Sequence, residues 1–165
     1  MNQSMVRIKY SPYVALLWSA MMPGFGHLYN KDYWLASAFF IIELGLNFFA
    51  NINNAITQAF NPFYYKGADL HLNMSWALFY PGMYAFSMWH AYNRAIEKNA
   101  LLKEIQEPVT PKLTGCFIGL TIGMQFGLIW PLYHTLLLTS LGYGLAGATI
   151  GTLLEKTILS KVPLP

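Results

Sequence analysis

Residues 23–34 read Pro-Gly-Phe-Gly-His-Leu-Tyr-Asn-Lys-Asp-Tyr-Trp and interrupt the apolar N-terminal part of the chain. Apolar segments flank this stretch over residues 13–22 and 35–50. A proline and two glycines disfavour a straight helix through it, and the charged pair Lys31-Asp32 is costly among lipid tails. The stretch therefore predicts a turn between two apolar helices that keeps Lys31 and Asp32 in water, and the position of this turn decides the topology of the chain.

The composition indicates that lipid surrounds much of the chain. Of its 165 residues, 55% are hydrophobic and 10% are charged, whereas a soluble domain carries about 25% charged residues. Aromatic residues reach 16%, which suits the Trp and Tyr belts of membrane interfaces. Basic residues cluster at the ends of apolar runs and form no amphipathic stripe, so nucleic acid is not an expected partner. The single cysteine, Cys116, excludes an intrachain disulfide.

These features predict an all-α integral membrane protein with about four transmembrane helices and a short N-terminal re-entrant or interfacial helix. The alternative is five transmembrane helices. The N-terminal segment, residues 12–30, contains an apolar run of only ten residues, whereas a span needs about 20. A polar connection over residues 51–73 and a charged helix over residues 94–112 separate the spans. In this single membrane domain the predicted spans cover residues 34–50, 75–93, 113–132 and 135–154.

The distribution of the ten Lys and Arg residues favours four spans over five. With four spans, only Lys66 falls on the outer side. With five, the better orientation places Arg7 and Lys9 there as well. The four-span arrangement therefore fits the positive-inside rule better. We expect residues 94–112 and the C-terminal segment in the cytoplasm, and residues 51–73 outside.

Glycines recur every fourth residue in the third predicted span, and the fourth span carries a second set. Residues four apart share one helix face, and the missing side chains let another backbone approach closely. We expect this stripe to pack the two helices together as a hairpin; the alternative is a face for self-association. The predicted helix-packing residues are Gly115, Gly119, Gly123, Gly127, Gly144, Gly147 and Gly151.

Three polar side chains fall inside predicted spans: Glu43, Asn47 and Gln125. A charge at the centre of a span costs about 3 kcal/mol on insertion scales, so Glu43 should be protonated, paired or directed into a cavity. It has either a structural hydrogen bond or a role with an ion or proton, and Asn47 lies one turn further on the same face. Gln125 is expected to bond between helices. Candidate hydrogen-bond donors to Glu43 on an antiparallel neighbour are Tyr80, Tyr84 and Ser87.

Chemistry at the turn has weak support from the sequence. His27, Asp32 and His90 form the nearest candidate cluster, but their spacing matches no metal motif, and a metal needs three or four ligands. No nucleophile motif, paired-carboxylate motif or phosphate-binding loop is present. We therefore predict no metal, no cofactor and no catalytic residues, and an interfacial enzyme is the third alternative. The predicted interface-turn residues are Pro23, Gly24, Gly26, His27 and Asp32.

Residues 23–30, followed by Tyr33-Trp34, resemble the "PGxGxxYxGxxxxG" stretch of small bacterial membrane proteins of the TM2-like type. Residues 89–95, Trp-His-Ala-Tyr-Asn-Arg-Ala, resemble the "DAYxxA" ending of these proteins. His90 replaces the acidic residue, and Lys31 and Ala36 replace glycines. The resemblance covers residues 12–99 and implies a bacterial inner-membrane protein without known catalytic residues. In that family the first segment is a true span, which disagrees with the charge count.

The sequence therefore predicts a structural or accessory subunit of a membrane complex, multi-pass in the cell (inner) membrane. Its expected partners are the lipid bilayer and either a second copy of the chain or another membrane protein. The alternative is a small transporter or channel with a polar path at Glu43 and Asn47. Neither the transported substrate nor the identity of a partner follows from the residues.

Overall fold

The computed structural model describes residues 9–60, 72–105, 108–131 and 136–160. Within these ranges every regular element is an α-helix. The chain divides into two compact units, each made of two sequence segments: unit 1 is Met1–Phe40 with Ser87–Lys112, and unit 2 is Ile41–Phe86 with Leu113–Pro165. The helices are α1 (Pro12–Met21), α2 (Phe25–Tyr29), α3 (Tyr33–Ala50), α4 (Ile52–Phe60), α5 (Met74–Ala77), α6 (Phe79–Leu102), α7 (Thr114–Ile129) and α8 (Leu136–Leu159).

Unit 1 contains α1, α2, the first half of α3 and the second half of α6. The side chain of Ser11 caps α1 by accepting from the Val14 amide at 3.4 Å, and Pro12 occupies the first helical position, where a missing N–H costs nothing. The unit packs around small residues from α1 and α6, which allow the helices to approach closely. These buried residues are Ala15, Ala91 and Ala95, with Tyr10 and Tyr29 packed against them.

Unit 2 contains the second half of α3, α4, α5, the start of α6, and the α7–α8 pair. Its small core, formed by Ala50, Ile52 and Ala77, lies where α3, α4 and α5 meet. The helices α7 and α8 pack together as an extensive hairpin, and α4 also contacts α8. Unit 2 is therefore built largely on helix-to-helix contacts between small side chains.

Two of the described helices, α3 and α8, are long and apolar enough to cross a membrane. Only 28% of the apolar window of α3 and 17% of that of α8 is buried within the chain, so most of this surface faces outward. A core helix of a soluble protein hides its apolar face. The apolar helices α1 and α7 are shorter. Length and composition thus agree with an all-helical membrane protein, while the number of spans stays a prediction.

Helix boundaries differ from the sequence prediction in several places; α8, for example, extends to Leu159 rather than to residue 154. The second predicted span begins in the short helix α5, and most of it continues with the first part of the helix predicted over residues 94–112 as one helix, α6, which ends at Leu102. The chain then turns at Lys103 and Glu104, and Glu104 adopts a left-handed φ of 56°. The connection predicted over residues 51–73 contains the helix α4, because Ile52 and Ala55 lie three residues apart and are both buried. Residues 61–71 of that connection lie outside the described ranges.

Candidate functional site

The stretch that begins at Pro23 forms a compact double turn. The helix α1 ends at Met21, Gly24 adopts a left-handed φ of 98°, and the five-residue helix α2 follows. Lys31 is also left-handed, with φ 61°, and the Asp32 amide donates to the His27 carbonyl at 2.8 Å. The chain thereby reverses within a few residues and starts α3 at Tyr33, as the sequence predicts.

Two glycines of this turn are required by close backbone contacts. A Cβ on Gly24 would lie 2.6 Å from the Ala36 carbonyl oxygen, and its φ is strained for any other residue. A Cβ on Gly26 would overlap the Ala15 carbonyl oxygen and would lie 2.8 Å from the Ala91 Cβ. The Gly24 amide donates to the Ser87 hydroxyl at 3.1 Å, so this predicted donor to Glu43 serves the turn instead.

Two histidines meet beneath the turn. His27, which is fully buried, lies 2.9 Å from His90 between Nε2 and Nδ1. The rings stack with centroids 5.1 Å apart, and Phe39 stacks on His27 at 4.7 Å. One nitrogen of the contact must donate and the other accept, so a single proton joins the two rings. The two histidines of the candidate cluster are therefore in direct contact.

Asp32, the third member of the predicted cluster, is bound by cations. Its carboxylate accepts from Arg94 Nε at 3.2 Å and from Lys98 Nζ at 2.6 Å. The Asp32 side chain is only 12% exposed, so the expectation that it stays in water is wrong, although Lys31 is exposed. The reason is that two basic residues of α6, Arg94 and Lys98, lie against the turn and bind this carboxylate. Arg94 also bonds Glu97 at 2.7 Å, and this bond raises the pKa of Arg94.

This arrangement favours anchoring over chemistry. Both carboxylate oxygens of Asp32 are engaged by cations, Oδ2 by Arg94 and Oδ1 by Lys98. No group of three or more His, Cys, Asp or Glu side chains within the described ranges is arranged to hold a metal ion. Asn30, also fully buried, donates from Nδ2 to the Ala91 carbonyl at 2.8 Å. The turn is thus bound to α6 by a histidine pair, an amide and two ion pairs.

In unit 2 the predicted glycines lie between α7 and α8. A Cβ on Gly119 would overlap the Gly147 carbonyl group, and one on Gly115 would overlap that of Gly151. Further along, a Cβ on Gly123 would overlap the backbone of Tyr143, and one on Gly127 would lie 2.6 Å from the Ser140 Cα. Gly144 faces the side chains of Leu120 and Met124. All seven glycines therefore lie where α7 and α8 contact each other. This agrees with the expectation that they pack the two helices together as a hairpin.

The two ends of this seam are joined by polar bonds. Leu113 precedes α7 with a left-handed φ of 62° and offers no side-chain cap. The carboxylate of Glu155, one turn from the end of α8, accepts from the Thr114 and Gly115 amides at 3.2 and 3.0 Å. A carboxylate at a helix N-terminus accepts hydrogen bonds from free backbone amides and interacts favourably with the positive end of the helix dipole. Near the other end, the Ser140 hydroxyl donates to the Met124 carbonyl at 2.8 Å.

An open apolar groove of about 630 Å³ runs along one side of the hairpin. Glycine backbones line its floor at positions such as Gly119 and Gly147. Aliphatic side chains with exposed fractions of 55–60% form its rims, among them Ile118, Ile122 and Ile150. The same small residues that bring α7 and α8 together thus leave a depression on the outer surface of the pair.

The three polar residues inside the predicted spans take different partners. Glu43 is 5% exposed and accepts from the Tyr80 hydroxyl at 2.8 Å, which confirms one of the predicted donors. Its second oxygen, Oε2, is buried without a hydrogen-bond partner. Asn47 does not extend this site, because its amide donates to Asn53 at 3.3 Å. Gln125 donates to the Leu78 carbonyl at 3.1 Å, a bond between helices as predicted, at the break between α5 and α6.

Sequence reasoning missed several residues that hold these sites together. Glu155 reads as a solvated residue near the end of a helix, and its role as a cap depends on a partner 40 residues away. Lys98 and Asn30 lie among charged and polar residues in the sequence, so nothing in the local pattern predicts their burial. The only available signal is their position: Asn30 directly follows the glycine-rich turn, and Lys98 lies one turn after Arg94 on the same helix face.

The chain matches no protein-family model, and comparison with curated proteins and with solved structures finds no significant similarity.

Proposed function

We propose that this chain is a multi-pass protein of the cell (inner) membrane that serves as a structural or accessory subunit and associates with a second copy of itself. The observation that carries this proposal is the apolar groove on the α7–α8 hairpin. In lipid, association depends on close packing of small residues rather than on the hydrophobic effect. A groove floored with glycine and bordered by aliphatic side chains offers such packing to a helix.

A second copy is the occupant that the surface itself favours. The groove and its rims lie on one face, so this face carries both a depression and a ridge. The ridge residues Ile118, Ile122 and Phe126 are 47–60% exposed and lie on one stripe of α7, spaced by four. A two-fold pairing brings each ridge against the groove of the other copy, which is the isologous arrangement commonest among homo-oligomers.

The charge pattern supports the membrane topology of the proposal. Four spans with a re-entrant N-terminal segment leave only Lys66 among the outer basic residues, and residues 94–112 then lie in the cytoplasm. The outward apolar surface of α3 and α8 supports lipid contact. The resemblance of residues 12–99 to TM2-like proteins supports a bacterial inner-membrane location, and the assignment to that family is part of the proposal.

Light scattering of the purified chain in mild detergent tests this proposal. We expect a protein mass of twice 18.7 kDa. Ala146 lines the groove and is exposed, so Ala146→Phe fills the groove and should give monomers. Leu145 is 67% exposed and does not line the groove, so Leu145→Phe is the matched control and should leave the dimer unchanged. A strictly monomeric wild type, or equal behaviour of the two variants, contradicts the proposal.

A small transporter or channel is the second candidate, and one observation favours it. The Oε2 atom of Glu43 is buried and unpartnered within a helix that is long and apolar enough to cross a membrane. Intramembrane carboxyl groups of this kind often bind protons or ions. If Glu43 carries a proton or cation, Glu43→Gln should abolish a flux measured in proteoliposomes. Flux that is equal in both proteins, or absent from the wild type, counts against this candidate.

A further inference from the structure

In unit 1 the chain enters and leaves the hairpin made by α1 and α2 at the same level of α6. On the entering side, the Asn99 side chain of α6 bonds the backbone just before α1. On the leaving side, Asp32 is bound by Lys98, the residue that precedes Asn99. The Ser11 amide also donates to the Tyr29 hydroxyl at 3.0 Å and joins the two sides directly. The N-terminal hairpin, residues 10–32, therefore has both of its ends in one place.

The tip of the N-terminal hairpin lies at a different level of the same helix. The Gly24 amide donates to the Ser87 hydroxyl at 3.1 Å, and Ser87 precedes Arg94 by seven residues. A rise of about 1.5 Å per residue places the tip about 10 Å from the level of the Arg94–Asp32 ion pair. A Cβ on Gly24 would also lie 3.3 Å from the Phe39 Cβ. Because Phe39 follows Asp32 by seven residues, α3 gives the same depth as α6.

Charge is confined to the end at which the chain enters and leaves the N-terminal hairpin. No Lys, Arg, Asp or Glu occurs between Lys9 and Lys31, and both of these lysines are exposed. The ion pairs of Asp32 with Arg94 and Lys98 lie at the same end. The tip is thus the uncharged end, which is a requirement for a segment that enters lipid.

The outer face of α1 is apolar along its whole length. Tyr13, Leu17 and Met21 recur every fourth residue and therefore lie on one stripe, and their exposed fractions are 66%, 62% and 71%. The inner face is occupied, because Ala15 packs against Ala91 of α6. A continuous exposed stripe of this kind marks a surface that contacts lipid or another apolar surface.

The amides at the tip are bonded within the chain. At membrane depth, non-helical backbone is tolerated only where its polar groups are satisfied by the protein. Pro23 is fully buried and has no amide proton. The Met22 amide donates to the Trp18 carbonyl, and the Phe25 amide donates to the Met22 carbonyl, both at 3.1 Å. With the Gly24 amide bonded as well, the amides of the tip need no water.

We propose that the N-terminal hairpin inserts tip-first into the cytoplasmic leaflet and returns to the cytoplasmic surface, with the α1 stripe in contact with the acyl chains of that leaflet. Half of the hydrocarbon core is about 15 Å thick, so a tip about 10 Å below the ion pairs stays within one leaflet. The inference rests on the membrane location in the proposed function and is independent of association through the α7–α8 groove. It selects insertion over an α1 that lies flat on the surface and over an α1 that spans.

Spin labels on single cysteines test the depth of α1. The full chain with Cys116→Ala carries a nitroxide at Tyr13→Cys or Met21→Cys and is reconstituted into phosphatidylcholine–phosphatidylglycerol vesicles. Electron paramagnetic resonance then measures collisions with oxygen, which is enriched in lipid, and with a nickel chelate, which stays in water. The label at Met21 should lie about 10 Å deeper than the label at Tyr13, since eight residues separate them along α1. Equal depths would show a helix flat on the surface, and low collision rates with both reagents at Met21 would show a protein cover; either result overturns the proposal.

Accessibility from each side of the membrane tests the return of the chain. Lys9, Lys31 and Lys103 are exposed, so a cysteine at each should react with a membrane-impermeant maleimide in inverted vesicles and stay protected in right-side-out cells. Reaction of the cysteine at Lys9 from the opposite side would show a spanning α1 and overturn the proposal.

A spin label at Ile41→Cys is the reference for lipid contact, because Ile41 is 68% exposed on α3. We expect high oxygen collision rates at both Ile41 and Met21. Lipid contact at Ile41 without lipid contact at Met21 would overturn the hairpin inference alone. Absence of lipid contact at both positions would overturn the proposed membrane location together with it.

Discussion

A single methyl group at Gly119 tests how α7 and α8 are held together. The Cβ of alanine at this position would overlap the Gly147 carbonyl oxygen, lie 2.7 Å from the carbonyl carbon and lie 3.3 Å from the Ala148 nitrogen. All three atoms belong to the backbone of α8, so no side-chain rotation relieves the overlap. The two helices have to move apart along the whole seam.

The size of the effect follows from this separation. Restoring an ordinary carbon contact of about 3.5 Å requires a shift of nearly 1 Å, and a gap of that size forfeits about a quarter to a half of each dispersion contact. Overpacking of this kind costs about 2 kcal/mol, or about 30-fold in the folding equilibrium. Alanine recovers at most about 1 kcal/mol through its better helix propensity. We therefore expect net destabilisation by at least about 1 kcal/mol.

Gly142 supplies the control, because a Cβ there meets nothing within 4 Å. Gly142→Ala should be neutral or slightly stabilising, so the two alanine variants should differ by about 2 kcal/mol. The measurement is equilibrium unfolding of the detergent-solubilised chain by added sodium dodecyl sulfate, followed by near-ultraviolet circular dichroism. If Gly119→Ala is as stable as Gly142→Ala, the glycine seam does not support the hairpin and the packing argument fails.

Three further substitutions test other contacts by the same unfolding measurement. Glu155→Ala frees two amides at the start of α7 and should cost about 1 kcal/mol, with faster hydrogen exchange at those amides; unchanged exchange would contradict the capping role. Tyr80→Phe leaves buried Glu43 without its donor and should cost about 1–3 kcal/mol, less if Glu43→Leu is also present; strictly additive effects would refute the coupling. Asp32→Asn removes both ion pairs of the turn, although Arg94 keeps its pair with Glu97, and should cost about 1–2 kcal/mol after allowance for solvent screening, whereas Lys31→Gln should be neutral; equal effects of the two would show that the ion pairs do not stabilise the turn.

Local patterns predict the helices and the seam of this protein. The four-residue spacing of Gly115 to Gly127 identifies the packing face of α7 without reference to its partner, because the helical repeat alone places these residues together. The apolar runs that became α3 and α8 are likewise local features. The helix α4 is missed because Asn-rich segments favour turns, whereas burial of Ile52 and Ala55 stabilises the helix.

Long-range pairings are not encoded in such patterns. The bond between His27 and His90 joins residues 63 positions apart, and the pairing could be suggested only from the predicted depth of each residue. Several basic residues could pair with Asp32 on the basis of sequence alone. That Arg94 and Lys98 are its partners depends on how the turn packs against α6. The separation of Asn47 from Glu43 is a similar case, since the amide bonds to Asn53 of the next helix instead.

Photo-crosslinking in intact membranes tests the proposed self-association most directly. The photoreactive amino acid p-benzoylphenylalanine replaces Ile122 at the rim of the groove or, as a control, Leu145 away from it. If two copies pack through the α7–α8 groove, irradiation of the Ile122 variant yields a covalent dimer whose cross-linked peptides both come from this chain, and the Leu145 variant yields little. Absence of that dimer, or equal yields at the two positions, would contradict the account.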